Sequence, residues 1–211
     1  MKKLIITAII LATVTTTFAQ FNFGLRGGMN LADYSNLEDS SKKADYYIGA
    51  IFAIQLGDLY TLQPEITYSK QGTKLNGTYS DLRSNTISVN YFSIDVANKF
   101  NVTKNAHFLI GPYLDIVMDK DIKYFRSSQD DYYYYNRYNT TGADLGFIVG
   151  FGFDVTQNLT LEARYKQGFV GVISNIENNL NENYYDEDPH LNKVIQLGLT
   201  YKFDLLKPTK K

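Results

Sequence analysis

The sequence predicts an all-β chain: an eight-stranded antiparallel up-and-down barrel that crosses a membrane on its strands. Three observations carry the prediction. Apolar and polar residues alternate with period 2 through most of the chain, the signature of strands with one apolar face. The connections between these segments run long, short, long, short, long, short, long. The last segment, Asn192 to Phe203, closes the chain on aromatics, with Ile195, Leu197, Leu199, Tyr201 and Phe203 alternating with Gln196, Gly198, Thr200 and Lys202.

The chain opens with MKKLIITAIILATVTTTFAQ. Lys2 and Lys3 form a positive region, Leu4 to Val14 an apolar one, and Thr17-Phe18-Ala19 a small-x-small site before Gln20, which together predict a secretory signal peptide over residues 1–19. The apolar run is shorter than the ~20 residues that a spanning helix needs. Removing Lys2 and Lys3 from 21 basic residues leaves 19 against 22 acidic ones, a net charge near −3. That balance argues against a nucleic-acid partner, which calls for a clustered basic surface. Cysteine is absent, so an exported chain of this kind holds together without disulfides. The domain organisation expected is signal peptide 1–19, barrel 20–203 and a short polar tail 204–211.

The first strand, Phe21 to Leu31, sets Phe21, Phe23, Leu25, Met29 and Leu31 against Asn22, Gly24, Arg26, Gly28 and Asn30. A polar connection from Ala32 to Asp45 follows. The second strand, Tyr46 to Leu56, turns Tyr46, Ile48, Ala50, Phe52, Ile54 and Leu56 outward, and ends in a Gly57-Asp58 turn. The third, Leu62 to Gln71, opposes Leu62, Pro64, Ile66 and Tyr68 to Gln63, Glu65, Thr67 and Ser69. Pro64 makes it the least regular rung, because proline cannot donate to a ladder.

After a polar loop, Gly72 to Asn85, the fourth strand runs to Phe100. Its apolar positions change phase between Ile87, Val89 and Phe92, Ile94, Val96, which a bulge near Asn90-Tyr91 would reconcile. The short Asn101 to Asn105 turn leads to the fifth strand, with Phe108, Ile110, Pro112, Leu114 and Ile116 on one side. The long connection Asp119 to Gly142 contains DDYYYYNRYN. The sixth strand, Ala143 to Val155, opposes Leu145, Phe147, Val149, Phe151 and Phe153 to Asp144, Gly146, Gly150, Gly152 and Asp154. Beyond a Thr156-Gln157-Asn158 turn, the seventh opposes Leu159, Leu161, Ala163 and Tyr165 to Thr160, Glu162, Arg164 and Lys166. The acidic connection Gly168 to Leu191 precedes the last strand.

This order puts the three short turns at one end and the four long loops at the other, as in outer-membrane barrels with short periplasmic turns and long extracellular loops. Phe21, Phe23, Tyr201 and Phe203 form the candidate periplasmic girdle, and Tyr46, Tyr68 and Tyr165 the outer one. Alternation alone does not say which face points inward, so a secreted barrel of lipocalin type, with its apolar face around a ligand, is the alternative. The glycines and opposite charges of the polar face favour the membrane barrel, since they suit a narrow, filled interior.

The segment LQPEITYSKQG, Leu62 to Gly72, resembles the most recognisable motif of the porin-like, PorT-like outer-membrane β-barrel family. YFSIDVANKF, Tyr91 to Phe100, is similar to the family's next block, with Asp95 where proline is expected; GPYL at Gly111 to Leu114 and the terminal GLTYKF also fit. The resemblance covers nearly all of the mature chain. It implies the fold, a place in the Gram-negative cell outer membrane, and, as an alternative role, a part in protein secretion. The resemblance also implies that the final aromatic is read by the insertion machinery, although DLLKPTKK follows Phe203 here.

On the assigned phases Arg26, Glu65, Asp95, Lys99, Asp115, Asp144, Asp154, Glu162, Arg164 and Lys166 point inward. An eight-stranded barrel has room inside only for side chains, so these charges are expected to form a paired plug, with a narrow ion path as the alternative. In the loop run, Tyr132, Tyr133, Tyr134, Tyr135, Arg137 and Tyr138 have recognition character, because tyrosine offers large amphipathic contact at little entropic cost; an extension of the girdle explains them equally well. YYDEDPH, Tyr184 to His190, lacks the spacing of a calcium loop. His107 and His190 fall at opposite ends of the topology, and no nucleophile motif accompanies them. No catalytic residue, cofactor or metal is expected. The reading is a non-enzymatic monomeric barrel in outer-membrane lipid, serving structure or surface recognition, with envelope or secretion proteins as possible partners and a small-solute channel as a further alternative.

Overall fold

The computed structural model describes residues 20–35, 40–75, 85–123, 138–176 and 190–203. The signal segment, the tyrosine run through Arg137, the acidic stretch ending at Pro189 and the tail 204–211 lie outside the described residues. Within them run β1 (Gln20–Tyr34), β2 (Ser40–Gln55), β3 (Tyr60–Leu75), β4 (Asn85–Asn101), β5 (Ala106–Lys123), the short β6 (Tyr138–Thr140), β7 (Ala143–Asp154), β8 (Leu159–Ile176) and β9 (His190–Phe203). All pairings are antiparallel, and β9 pairs with both β8 and β1, so the eight long strands close on themselves. Closure leaves no open edge among them, which is what a strand protein in lipid requires.

Period-2 alternation decides which way each side chain faces. Along β3, Gln63, Glu65, Thr67, Ser69, Gln71 and Thr73 are buried in the interior, while Leu62, Pro64, Ile66 and Tyr68 line the outside. The outer wall is apolar: Ile48 is 59% exposed, Leu145 51% and Phe151 66%. A lipocalin-type barrel would bury these side chains, so that alternative is overturned. An exposed belt of this size is costly in water and is satisfied by lipid.

Pro64 and Pro112 leave matching marks on the ladders. The β2–β3 pairing lapses between Ile51↔Glu65 and Ile54↔Leu62, and the β4–β5 pairing between Asp95↔Tyr113 and Asn98↔Ile110, in both cases without a change of register. Each lapse covers the rung where the ring replaces an N–H.

Three features differ from the sequence expectation. The strands are longer: β2 starts at Ser40 rather than Tyr46, and β8 runs to Ile176 rather than ending near Gly168. At the start of β2 the residues are mostly polar, so the periodic signal begins after the strand does; along β8 register shifts between Gln167 and Ile173 break the alternation, although Phe169 and Val170 are still exposed and apolar. The connection after β5 also contains β6, which pairs with the far end of β8. Finally, β4 does not change phase. Ile87, Val89 and Tyr91 are buried with Ser93, Asp95 and Ala97; the register shift at Asn90/Tyr91 comes from an extra residue, Met118, on β5.

The short turns, residues 56–59, 102–105 and 155–158, share one construction. Leu56, Val102 and Val155 each donate an N–H to the first residue of the next strand, at 3.0, 2.9 and 2.8 Å. Thr103 Oγ1 accepts the N–H groups of Asn105 and Ala106, and Thr156 Oγ1 those of Asn158 and Leu159. An asparagine then ties each hairpin to its neighbour: Asn101 Nδ2 donates to Asp58 O, Asn105 Nδ2 to Asp154 O, and Asn158 Nδ2 to Lys202 O, at 2.7, 3.2 and 2.8 Å.

Candidate functional site: the filled lumen

The inward positions of eight strands converge on an interior packed with ion pairs. Glu65 on β3 is its hub. In the order of strands round the barrel, β3 and β8 stand opposite each other, and Arg164 on β8 reaches across to donate to both Glu65 oxygens, Nη1 at 2.8 Å and Nη2 at 2.9 Å. Arg26 on β1 bonds the same carboxylate through Nη1, and Gln63 Nε2 donates to it at 2.7 Å. All four side chains are buried. Two guanidinium groups around one carboxylate repel each other, so Glu65 needs its neighbours as much as they need it.

Toward the short-turn end, Arg164 Nη2 also donates to Glu162 Oε2 at 2.7 Å, and Lys99 Nζ donates to Glu162 Oε1 at 2.7 Å. Thr200 Oγ1 adds a third bond to Glu162 at 3.2 Å. His107 Nε2 lies 3.6 Å from Glu162 Oε1, with its ring held against Gly152, where a β-carbon would collide with it. Below this layer a mouth of about 180 Å³ opens between Asn22, Gln55, Thr61, Asn101 and Lys202. Asp154 sits at its rim, half-buried, accepting from Thr160 Oγ1 at 2.5 Å and lying 3.6 Å from Lys202 Nζ.

Toward the outer end, Lys166 Nζ donates to Asp115 Oδ1 at 2.8 Å and to Asp95 Oδ1 at 3.4 Å, and sits 4.1 Å over the Tyr113 ring. Asp95 Oδ2 lies 3.7 Å from Arg26 Nη1, which joins this layer to the central one. Tyr113 donates its hydroxyl to Asp144 Oδ2 at 2.9 Å. Gln71 spans from Asp115 to Asn192, and Asn30 from Gln196 to Ser69. Above them the buried apolar groups Ala32, Tyr34, Ile87, Val89, Tyr91 and Val194 stand among the buried polar groups Lys43, Thr73, Asn192 and His190.

The structure thus brings Arg26, Glu65, Asp95, Lys99, Asp115, Glu162, Arg164 and Lys166 into one connected set, with Asp144 joined to it through Tyr113. Asp154 belongs to the mouth instead. Sequence reasoning passed over the neutral members, Gln63, Gln71, Asn30, Asn192, Gln196, Tyr113 and Thr200, and over His107 as a lumenal group. Their signal was present: each shares the inward phase of its strand with a charged residue. Of the loop residues with recognition character, Tyr138 begins β6 opposite Ile176; Tyr132, Tyr133, Tyr134, Tyr135 and Arg137 lie outside the described residues. His107 and His190 are at opposite ends of the barrel, and His190 Nδ1 lies 3.2 Å from Ser35 O. Among the described residues no group of acidic, histidine or cysteine side chains is arranged to hold a metal ion.

A family model described as outer membrane protein beta-barrel domain matches residues 18–174. No curated protein matches the chain. Among solved structures, Neisserial surface protein A superposes with a TM-score of 0.50 at 15% identity, covering 88% of this chain and 99% of that one. OprG from Pseudomonas aeruginosa gives 0.48 at 12% identity, covering 88% and 97%. Ail, the attachment invasion locus protein of Yersinia pestis, gives 0.44 at 10% identity, covering 87% and 97%. At these identities the likeness is one of fold, and the first of the three carries it.

Proposed function

The chain belongs to the outer membrane protein beta-barrel domain family, and from that premise we propose that it is a plugged, non-enzymatic barrel whose work is done at its surface, as a scaffold that holds long outer connections for recognition. One observation supports this above the others: the Glu65–Arg164 pair bridges the lumen from wall to wall at 2.8 and 2.9 Å. A side chain clamped across the diameter of so narrow a barrel occupies the space that a conducted ion would need. What remains for recognition is the rim, where the connection between β5 and β7 carries the tyrosine run.

The test is conductance of the refolded full chain in planar lipid bilayers, alongside tyrosine-directed labelling of intact cells. The proposal expects no discrete conductance steps and labelling of Tyr132 to Tyr135 from outside. Reproducible unitary steps would instead establish the small-solute channel. A second reading, participation in protein secretion, draws on the resemblance of Leu62 to Gly72 to a PorT-like motif. It expects copurification with other envelope proteins and blocked export when the chain is lost; normal export without it would exclude that reading.

A further inference from the structure

At the outer edge of β2 and β3, lysines that pair with no acidic group among the described residues stand directly above a tyrosine pair. Tyr46 and Tyr68 lie side by side on the outer wall, ring centroids 6.3 Å apart. One step further out, the Lys70 ammonium sits 5.7 Å over the Tyr46 ring. Exposed Lys74 pairs in the ladder with Ser41 on β2 and Thr86 on β4, and exposed Lys42 follows Ser41. No carboxylate among the described residues forms an ion pair with Lys42, Lys70 or Lys74.

Among the described residues, the acidic groups Asp33, Asp45 and Asp119 of the same rim are engaged elsewhere. Asp33 Oδ1 accepts from Ser40 Oγ at 3.0 Å and Thr73 Oγ1 at 2.8 Å. Asp45 holds Lys43, and Asp119 Oδ1 takes the Lys120 N–H at 2.8 Å, with Asn90 standing between Asp119 and Lys70 in the ladder. Among the described residues three cations are therefore left over at the level where the apolar wall ends. Lysine stems lie along apolar surface and carry their heads to the interface, and aromatics mark that same boundary. An anionic membrane surface is favoured by about fivefold for each basic residue beside it.

The geometry points to a docking surface for an anionic, phosphate-bearing lipid of the leaflet at the strands' outer ends: Tyr46 and Tyr68 pack against the lipid below its head group, and Lys70 and Lys74, with Lys42 at the edge, take the phosphate oxygens. This rests on the outer-membrane placement above. The ammonium groups act as point-charge donors to the phosphate, and no bond is made or broken.

The chain has no tryptophan, so one introduced residue is the sole such emitter. Phe92 is the ladder partner of Tyr68 on β4, and the full chain carrying Phe92→Trp is refolded into phosphatidylcholine vesicles containing either brominated phosphatidylglycerol or brominated phosphatidylcholine at equal fractions. Quenching by the anionic lipid is expected at an apparent affinity about threefold or more above the neutral one. Lys70→Gln with Lys74→Gln brings the two to parity, while heat-modifiable migration shows the barrel still folded. A Leu145→Trp reporter on the far wall shows parity throughout. Equal quenching at Phe92→Trp, or a preference that survives the double variant, overturns the proposal. Loss of the preference to inorganic phosphate, but not to chloride of equal ionic strength, would make the site one for free phosphate and overturn the lipid assignment. Quenching by neither lipid would mean that the barrel does not enter the bilayer, a distinct result that removes the membrane premise as well.

Discussion

Glu65 and Arg164, on strands that face each other across the barrel, form a bidentate pair through both carboxylate oxygens at 2.8 and 2.9 Å. Arg26 shares the same carboxylate, so one acidic side chain holds two guanidinium groups in a space closed to water. Glu65→Ala leaves both cations without their common anion, and breaking a buried pair from one side costs about 3–5 kcal/mol. Urea unfolding in lipid vesicles should show a loss of that size, and Glu65→Gln an intermediate one. In the Glu65→Gln, Arg164→Gln double variant the losses should be less than additive by ~1 kcal/mol or more, because contacting partners couple. Strict additivity would mean that the pair contributes nothing as a pair.

The asparagine ties at the short-turn rim predict a graded effect. Asn158 Nδ2 donates to Lys202 O at 2.8 Å, and Lys202 N donates back to Asn158 O at 2.8 Å, so this turn is bound to the closing strand by side chain and main chain together. Asn158→Ala removes one of the two bonds and should cost about 1 kcal/mol. The faster exchange of amides at residues 155–158 and at Lys202, read by hydrogen–deuterium exchange, should be local. Unchanged exchange there would show that the main-chain bond suffices.

Gly72 predicts a sharper loss. Its φ of 140° is one that side chains rarely adopt, and a β-carbon there would run into the Ile87 carbonyl oxygen of the neighbouring strand. Gly72→Ala should therefore destabilise the barrel by more than ~1 kcal/mol, whereas alanine at Gly142, which meets no atom within 4 Å, should be close to neutral. Equal melting temperatures for the two variants would contradict the backbone assigned at Gly72.

Strand order, closure and the inward phase of Arg26, Glu65, Glu162 and Arg164 were legible in the sequence because a pleated strand alternates strictly and charges have only one tolerable side. Where the rule failed, it failed for a reason. Ile87 and Val89 are apolar yet face the lumen, because the outer part of the interior also holds Tyr34, Tyr91 and aliphatic groups against which they pack. The start of β2 is polar and the far part of β8 is broken by register shifts between Gln167 and Ile173, so no periodicity announces either. The connectivity of the charges was not legible at all: that Arg164 meets Glu65 rather than Asp95 depends on barrel stagger, which no single strand records. Within LQPEITYSKQG, Gln63, Glu65, Ser69 and Gln71 all bond within the lumenal network, so this one segment supplies much of it.

The sidedness of the wall can be tested at Ile94. Its ladder partners are Ile66 on β3 and Leu114 on β5, and Leu114 pairs in turn with Leu145 on β7, so it lies in an apolar row around the barrel. It is 39% exposed, and it lies one residue from the lumenal Asp95. In water, arginine at such a position would find its solvent and cost little. In lipid, a basic residue on the outer wall costs about 2–4 kcal/mol near the midplane and about 0–1 kcal/mol near the interface. Ile94→Arg should therefore destabilise the folded barrel severalfold more than arginine at Phe100, which lies close to the short-turn rim and is 44% exposed. Both variants are compared by equilibrium unfolding from the same vesicles. A depth-dependent difference places the apolar face against acyl chains; equal, small effects would return it to water and remove the membrane from the account of this fold.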